Sequence, residues 1–234
     1  MKIIAFPFAG GNIYSFRFLE NELLAKGISI EVIEYPGRGN RIVEPLSENI
    51  DAILKEIMPQ VIQEISNLKR NEPYILYGHS MGALMSYLVA IELMNTNLTK
   101  PLRLVVSGKS APSVPYNKGI SKMTSKEFWD TMQTTGGTPK ELLNSEMLRE
   151  FYEPIIKSDY KAVENYQYQH DKKLNYPIDI FYGNDDVFPL NDMKPWNNET
   201  IASSKIYGLS GGHFFIYDHV SILVDYFTNT LKST

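Results

Sequence analysis

The sequence predicts one α/β domain: a mostly parallel central sheet flanked by helices, with a helical insertion late in the chain. Three observations predict it. Short apolar runs alternate with amphipathic helical patterns along most of the 234 residues, the rhythm of a parallel sheet covered on both faces. The pentapeptide Gly78-His79-Ser80-Met81-Gly82 joins one apolar run to a helical pattern. The stretch from about Ala111 to Tyr176 breaks the alternation, with helical fragments and no clear strand.

The elements follow in order. Lys2 to Phe6 reads as a buried strand, followed by a loop carrying Gly10-Gly11. Ile13, Phe16, Leu19, Leu23 and Leu24 recur at helical spacing, and Ile28, Ile30 and Val32 alternate as a strand does. Pro36 to Pro45 is a loop rich in Gly and Arg. Ile50, Ile53, Leu54, Ile57, Val61, Ile62 and Ile65 mark a long amphipathic helix with a bend expected at Pro59. Tyr74 to Tyr77 is a strand, Gly82 to Met94 a helix and Leu102 to Ser107 a strand. Beyond the insertion come strands at Ile178 to Tyr182 and near Lys205 to Tyr207, then a helix from about Asp218 to Leu231. An insertion so late in such a sheet belongs over the strands' C-terminal edge, where ligands bind, and is expected to act as a lid.

Bulk composition narrows the function. A 43% hydrophobic content allows a sizeable core in a single domain over residues 1–234. The net charge of −4 argues against a nucleic-acid binder and against adhesion to anionic membranes. The absence of cysteine excludes disulfides, a thiol nucleophile and cysteine-held metals, and fits a cytoplasmic protein. Pro7 and Gly10-Gly11 cut the first apolar run short of a signal peptide, and no run approaches the length of a membrane helix.

Gly78-His79-Ser80-Met81-Gly82 matches G-x-S-x-G, the strand-to-helix turn that lifts a nucleophilic serine from the top of an α/β-hydrolase sheet. Ser80 is therefore the candidate nucleophile. Of four histidines, His79 sits within the turn and is expected to point away from Ser80, His170 lies in the insertion and His219 in the last helix. His213, after Gly211-Gly212, stands on a loop between the last strand and the last helix and is the candidate base. A metal site on His213 and His219 finds no H-E-x-x-H spacing to support it. The acid should end a strand between Ser80 and His213. Gly183-Asn184-Asp185-Asp186 does so; Asp186 is preferred and Asp185 is the alternative, ahead of Asp192 and Asp179. Oxyanion donors are expected from the backbone of Met81 and of the first loop, with Ala9 preferred over Phe8.

These segments together resemble a type II thioesterase, the free-standing editing enzyme of nonribosomal peptide and polyketide synthesis. The resemblance spans nearly the whole chain. Phe6-Pro7-Phe8-Ala9-Gly10-Gly11 and Tyr35-Pro36-Gly37-Arg38-Gly39-Asn40-Arg41 are similar to the family's first motifs. Ser107-Gly108-Lys109-Ser110-Ala111-Pro112 resembles the segment entering the lid, although Lys109 departs from the arginine or small residue commoner there. Gly136-Gly137-Thr138-Pro139 and the run from Ser158 to Tyr166 are similar to lid landmarks, and Gly183 to Asp186 and Gly211 to Phe215 to the acid and histidine segments. In the family the last carboxylate of the former is the acid, which favours Asp186. The resemblance also implies a structural role beside the site for Arg38 and Arg41, which by themselves read as a solvated loop.

What the resemblance implies is hydrolysis of acyl or aminoacyl thioesters on the phosphopantetheine arm of a carrier protein, the partner. No cofactor and no metal are expected, since the substrate itself carries phosphopantetheine, and a monomer is expected. The competing readings are an acyl-CoA thioesterase or carboxylesterase of the same fold and, in another class, a non-catalytic binding protein. The lid aromatics Phe128, Trp129, Phe151, Tyr152, Tyr160 and Tyr166 are candidates for substrate contacts or for lid core.

Overall fold

A computed structural model describes residues 1–169 and 172–232; His170 lies outside the described residues. Six strands form one sheet: β1 (Lys2–Phe6), β2 (Ser29–Val32), β3 (Tyr74–His79), β4 (Leu104–Ser107), β5 (Ile178–Gly183) and β6 (Ser204–Leu209). Their order is β2-β1-β3-β4-β5-β6 and every pairing is parallel. The helices are α1 (Arg17–Ala25), α2 (Ile50–Ser66), α3 (Met81–Met94), α4 (Ser125–Thr135), α5 (Lys140–Asn144), α6 (Glu146–Glu164), α7 (Leu190–Met193) and α8 (Val220–Lys232).

Side chains alternate across the strands, so the inner strands feed two cores. Ile4, Phe6, Leu76 and Val106 join α2 and α3 on one face, while Ile3, Ala5, Ile75 and Val105 join α1 and α8 on the other. Burial on both faces is why these strands read as continuous apolar runs rather than alternating ones. Helix α3 is wrapped by the sheet, α2 and the segment around Trp196, and only Glu92 and Met94 escape burial.

Two expectations shift, at α1 and at His219. Helix α1 starts at Arg17, not near Ile13. Asn12 and Ser15 bond the local backbone, with Ser15 Oγ accepting from the Asn12 amide at 2.8 Å and Asn12 Oδ1 from that of Tyr14 at 2.9 Å. Such side chains compete with helical hydrogen bonding. His219 precedes α8 instead of lying within it, its carbonyl accepting from the Leu223 amide.

The insertion folds as α4, α5 and α6 around a small core of its own, in which Phe128, Trp129, Met132 and Ile156 meet. Helix α4 opens with a complete capping box between Thr124 and Glu127. Helix α6 runs for 19 residues despite Pro154. The strand order reverses between β1 and β3, so the loops after those two strands splay apart and leave a crevice at their C-terminal ends. The insertion lines that crevice.

Candidate active site

Ser80 occupies the turn between β3 and α3 at φ 56° and ψ −120°, one of two described non-glycine residues with positive φ. The flanking glycines have a steric reason. A Cβ on Gly78 would stand 2.0 Å from the Gly82 carbonyl oxygen, and one on Gly82 would stand 1.9 Å from that of Phe6. No side chain fits at either position, which lets α3 start directly against the end of β1. The first amides of α3, Met81 among them, lack intrahelical acceptors and concentrate positive potential beside Ser80.

His213 is buried, and its two ring nitrogens face different partners. Nε2 is 2.9 Å from Ser80 Oγ, and Nδ1 is 3.1 Å from both carboxylate oxygens of Asp186. The Asp186 side chain is 0% exposed. Asp185 is exposed, and its amide donates to the Gly211 carbonyl, tying the acid loop to the histidine loop. Asp179 pairs instead with Arg103 and Tyr226, away from His213.

His79 packs against His213 from within the turn. Its ring is fully buried beneath that of His213, with centroids 5.1 Å apart, and it shares a hydrogen bond with Ser107 Oγ at 2.9 Å. Burial, then the neighbouring His213, holds its pKa well below the ordinary histidine range, so it stays neutral. Gly108, at φ +59°, makes room for it, because a Cβ there would stand 2.5 Å from the His79 ring.

Two further residues join the loop after β1 to the insertion. Asp159 on α6 is 0% exposed and accepts from the Gly10 amide at 2.7 Å and from both Arg38 terminal nitrogens, Nη2 at 2.7 Å. Burial works against the charge of Arg38, but the Asp159 carboxylate outweighs it and raises the arginine's pKa. Arg41 pairs with Glu44 and also donates to the Glu34 carbonyl. The Gly11 amide donates to the Phe8 carbonyl. Gly10 and Gly11 are therefore both engaged, and Phe8 and Ala9 both border the cavity that holds Ser80.

Removing Asp159 would leave Arg38 buried without its counter-charge, a change that costs about 3–5 kcal/mol. Asp159→Ala is therefore expected to lower the melting temperature on the order of 10 °C. A fall of under about 2 °C in a thermal melt would contradict the role given to this pair.

Ser80 and His213 open into a cavity with two arms. The larger, about 520 Å³, is bounded by Phe8, Leu142, Tyr152, Ile156, Phe214 and Tyr217 among others. The smaller, about 380 Å³, is bounded by Met81, Lys109, Tyr116, Ile120, Met123 and Phe188 among others. Ala9 and Tyr160 border both arms. Of the insertion's aromatics, Tyr152 and Tyr160 line the cavity, Phe128 and Trp129 belong to the insertion's own core, Phe151 is exposed, and Tyr166 packs against the main core. Among the described residues, no helix is long and apolar enough to cross a membrane.

Residues 1–231 match the family model described as a thioesterase domain. The linear gramicidin dehydrogenase LgrE of Brevibacillus parabrevis is 30% identical over 99% of this chain and 88% of its own length. The gramicidin S biosynthesis protein GrsT of Aneurinibacillus migulanus is 28% identical over 99% of this chain and 89% of its own. Among solved structures, the type II thioesterase BorB from the borrelidin biosynthetic cluster superposes with a TM-score of 0.85 at 26% identity, covering 98% of this chain and 92% of BorB. LgrE carries a dehydrogenase's name. The dinucleotide fingerprint after a first strand is G-x-G-x-x-G, whereas here the segment after β1 reads Pro7-Phe8-Ala9-Gly10-Gly11-Asn12.

Proposed function

The chain belongs to the thioesterase family, and we propose that it frees acyl groups from the phosphopantetheine arm of carrier proteins through an acyl-Ser80 intermediate. The observation that carries the mechanism is the pair of hydrogen bonds at His213, one nitrogen toward Ser80 and the other toward Asp186. Asp186 holds the Nδ1 proton and with it the tautomer that leaves Nε2 free as a base. His213 then takes the Ser80 proton as Oγ attacks the thioester carbonyl. The Met81 amide and the Ala9 amide are the donors proposed for the developing oxyanion.

Collapse of that intermediate expels the thiol, which receives its proton from His213. Thiolates leave readily, since a free thiol has a pKa of about 8.5. Water enters, His213 removes its proton, and attack on the acyl-Ser80 ester releases the acid and restores the hydroxyl. The insertion acts as a lid that shields the ester between the two halves.

The carrier-bound substrate is supported by the relatives, one named for gramicidin S biosynthesis and one a type II thioesterase of the borrelidin cluster. An editing role in such synthesis follows. Carrier thioesters are expected to exceed CoA thioesters of the same acyl group by at least about tenfold in kcat/KM, because a docked carrier adds contacts CoA lacks; about 1.4 kcal/mol suffices. Equal efficiency on both would overturn the carrier assignment and leave thioester hydrolysis standing.

A further inference from the structure

Two lysines border the smaller arm of the cavity, the exposed Lys118 and the buried Lys109, and the mechanism uses neither. Lys109 follows the end of β4, is only 5% exposed and borders the same chamber as Ser80 and His213. Its backbone is fixed, since its carbonyl accepts from Trp196 Nε1 at 3.0 Å. Its ammonium forms no salt bridge among the described residues. Among the described residues its one hydrogen bond is long, 3.4 Å to Ser110 Oγ. Two aromatic rings, packed on each other, stand beside it, with Nζ 4.2 Å from the Tyr116 ring centroid and 4.9 Å from that of Phe188.

Ring faces attract a cation but do not accept its three N–H groups as oxygen does. A buried ammonium with so little oxygen around it is a donor in need of an acceptor. Burial drives its pKa down to about 7, and the charge of Asp192 offsets only part of that fall. An anion entering the chamber would restore what burial removes.

Both arms meet at Ser80, so a thioester positioned for attack sends its acyl group into one arm and its thiol portion into the other. We propose that the smaller arm receives the acyl group and that Lys109 selects acyl groups ending in a carboxylate. This rests on the reading of Ser80 as the nucleophile. The phosphate of the phosphopantetheine arm is a poorer match, because many bonds separate it from the sulfur that must lie beside Ser80. Short acyl groups of dicarboxylic acids combine an apolar stem for Met81, Met123 and Phe188 with an oxygen pair for the ammonium.

The probes are N-acetylcysteamine thioesters, which carry no phosphate. Succinyl, glutaryl and adipyl groups are compared with partners in which an isopropyl group replaces the terminal carboxylate. At the best chain length the wild type is expected to favour the carboxylate by at least about tenfold in kcat/KM after correction for spontaneous hydrolysis. Lys109→Met should reverse that preference while still hydrolysing the isopropyl partners, and Lys109→Arg should retain part of it. If the wild type handles the isopropyl partners as well at every length, the proposal fails, and this comparison decides even if Lys109→Met does not fold. An unchanged preference in Lys109→Met also overturns it, as does a loss confined to phosphate-bearing carrier substrates. Hydrolysis of the isopropyl partners that vanishes in Ser80→Ala keeps the underlying mechanism intact whichever way the preference falls.

Discussion

Ser80→Ala is expected to lower kcat for thioester hydrolysis by roughly a millionfold, the scale seen when a serine nucleophile is removed from a triad. The reason is local. Ser80 Oγ is the only protein atom that the proposed mechanism bonds to the acyl carbon. What activity persists should be about 10³–10⁴-fold above the uncatalysed rate, from the oxyanion donors and binding alone. The fold should be unaffected, because alanine keeps the Cβ and the strained backbone of the turn. Ser80→Gly makes a sharper companion. It should be equally inactive yet more heat-stable by about 1 kcal/mol or more, since glycine adopts a φ of 56° without the strain that serine bears. Retention of more than a few per cent of activity in Ser80→Ala would remove Ser80 from the mechanism.

The second large effect separates two adjacent carboxylates. Asp186→Asn is expected to reduce kcat by about 10⁴-fold, because an amide at that position favours the wrong imidazole tautomer and cannot offset the imidazolium. Asp185→Asn should change kcat less than about threefold, since the Asp185 side chain is exposed and its structural contribution is made by its backbone amide. Steady-state rates of the two variants on one carrier thioester decide the matter. A crippled Asp185→Asn beside a mild Asp186→Asn would reverse the assignment.

The sheet was legible in the sequence because strands buried on both faces leave unbroken apolar runs such as Tyr74-Ile75-Leu76-Tyr77. The turn at Ser80 was legible for a steric reason, since two backbone approaches near 2 Å admit only glycine at Gly78 and Gly82. The insertion's three helices were legible only as fragments. Helix α6 passes through Pro154, and the core that holds the insertion draws on residues from Ile120 to Ile156. The pairing of Arg38 with Asp159 joins positions 121 residues apart, and no local pattern announces it. The packing of His79 against His213 was not legible, because the room for its ring is left by Gly108, a residue of the neighbouring strand's loop. Lys109 stood out in the sequence only as a departure from the family; its lack of a salt bridge among the described residues is a property of the folded chamber.

The measurement that tests the central claim most directly is a titration of thioester hydrolysis against occupancy of Ser80. A fluorophosphonate is added in increments, the attachment site is mapped by peptide mass spectrometry, and residual hydrolysis of a carrier thioester is measured at each step. The account predicts a single adduct on Ser80 and activity falling in proportion to its occupancy, reaching zero at one equivalent per chain. Hydrolysis that survives full modification of Ser80, or an adduct on another residue that tracks the loss of activity, would contradict it.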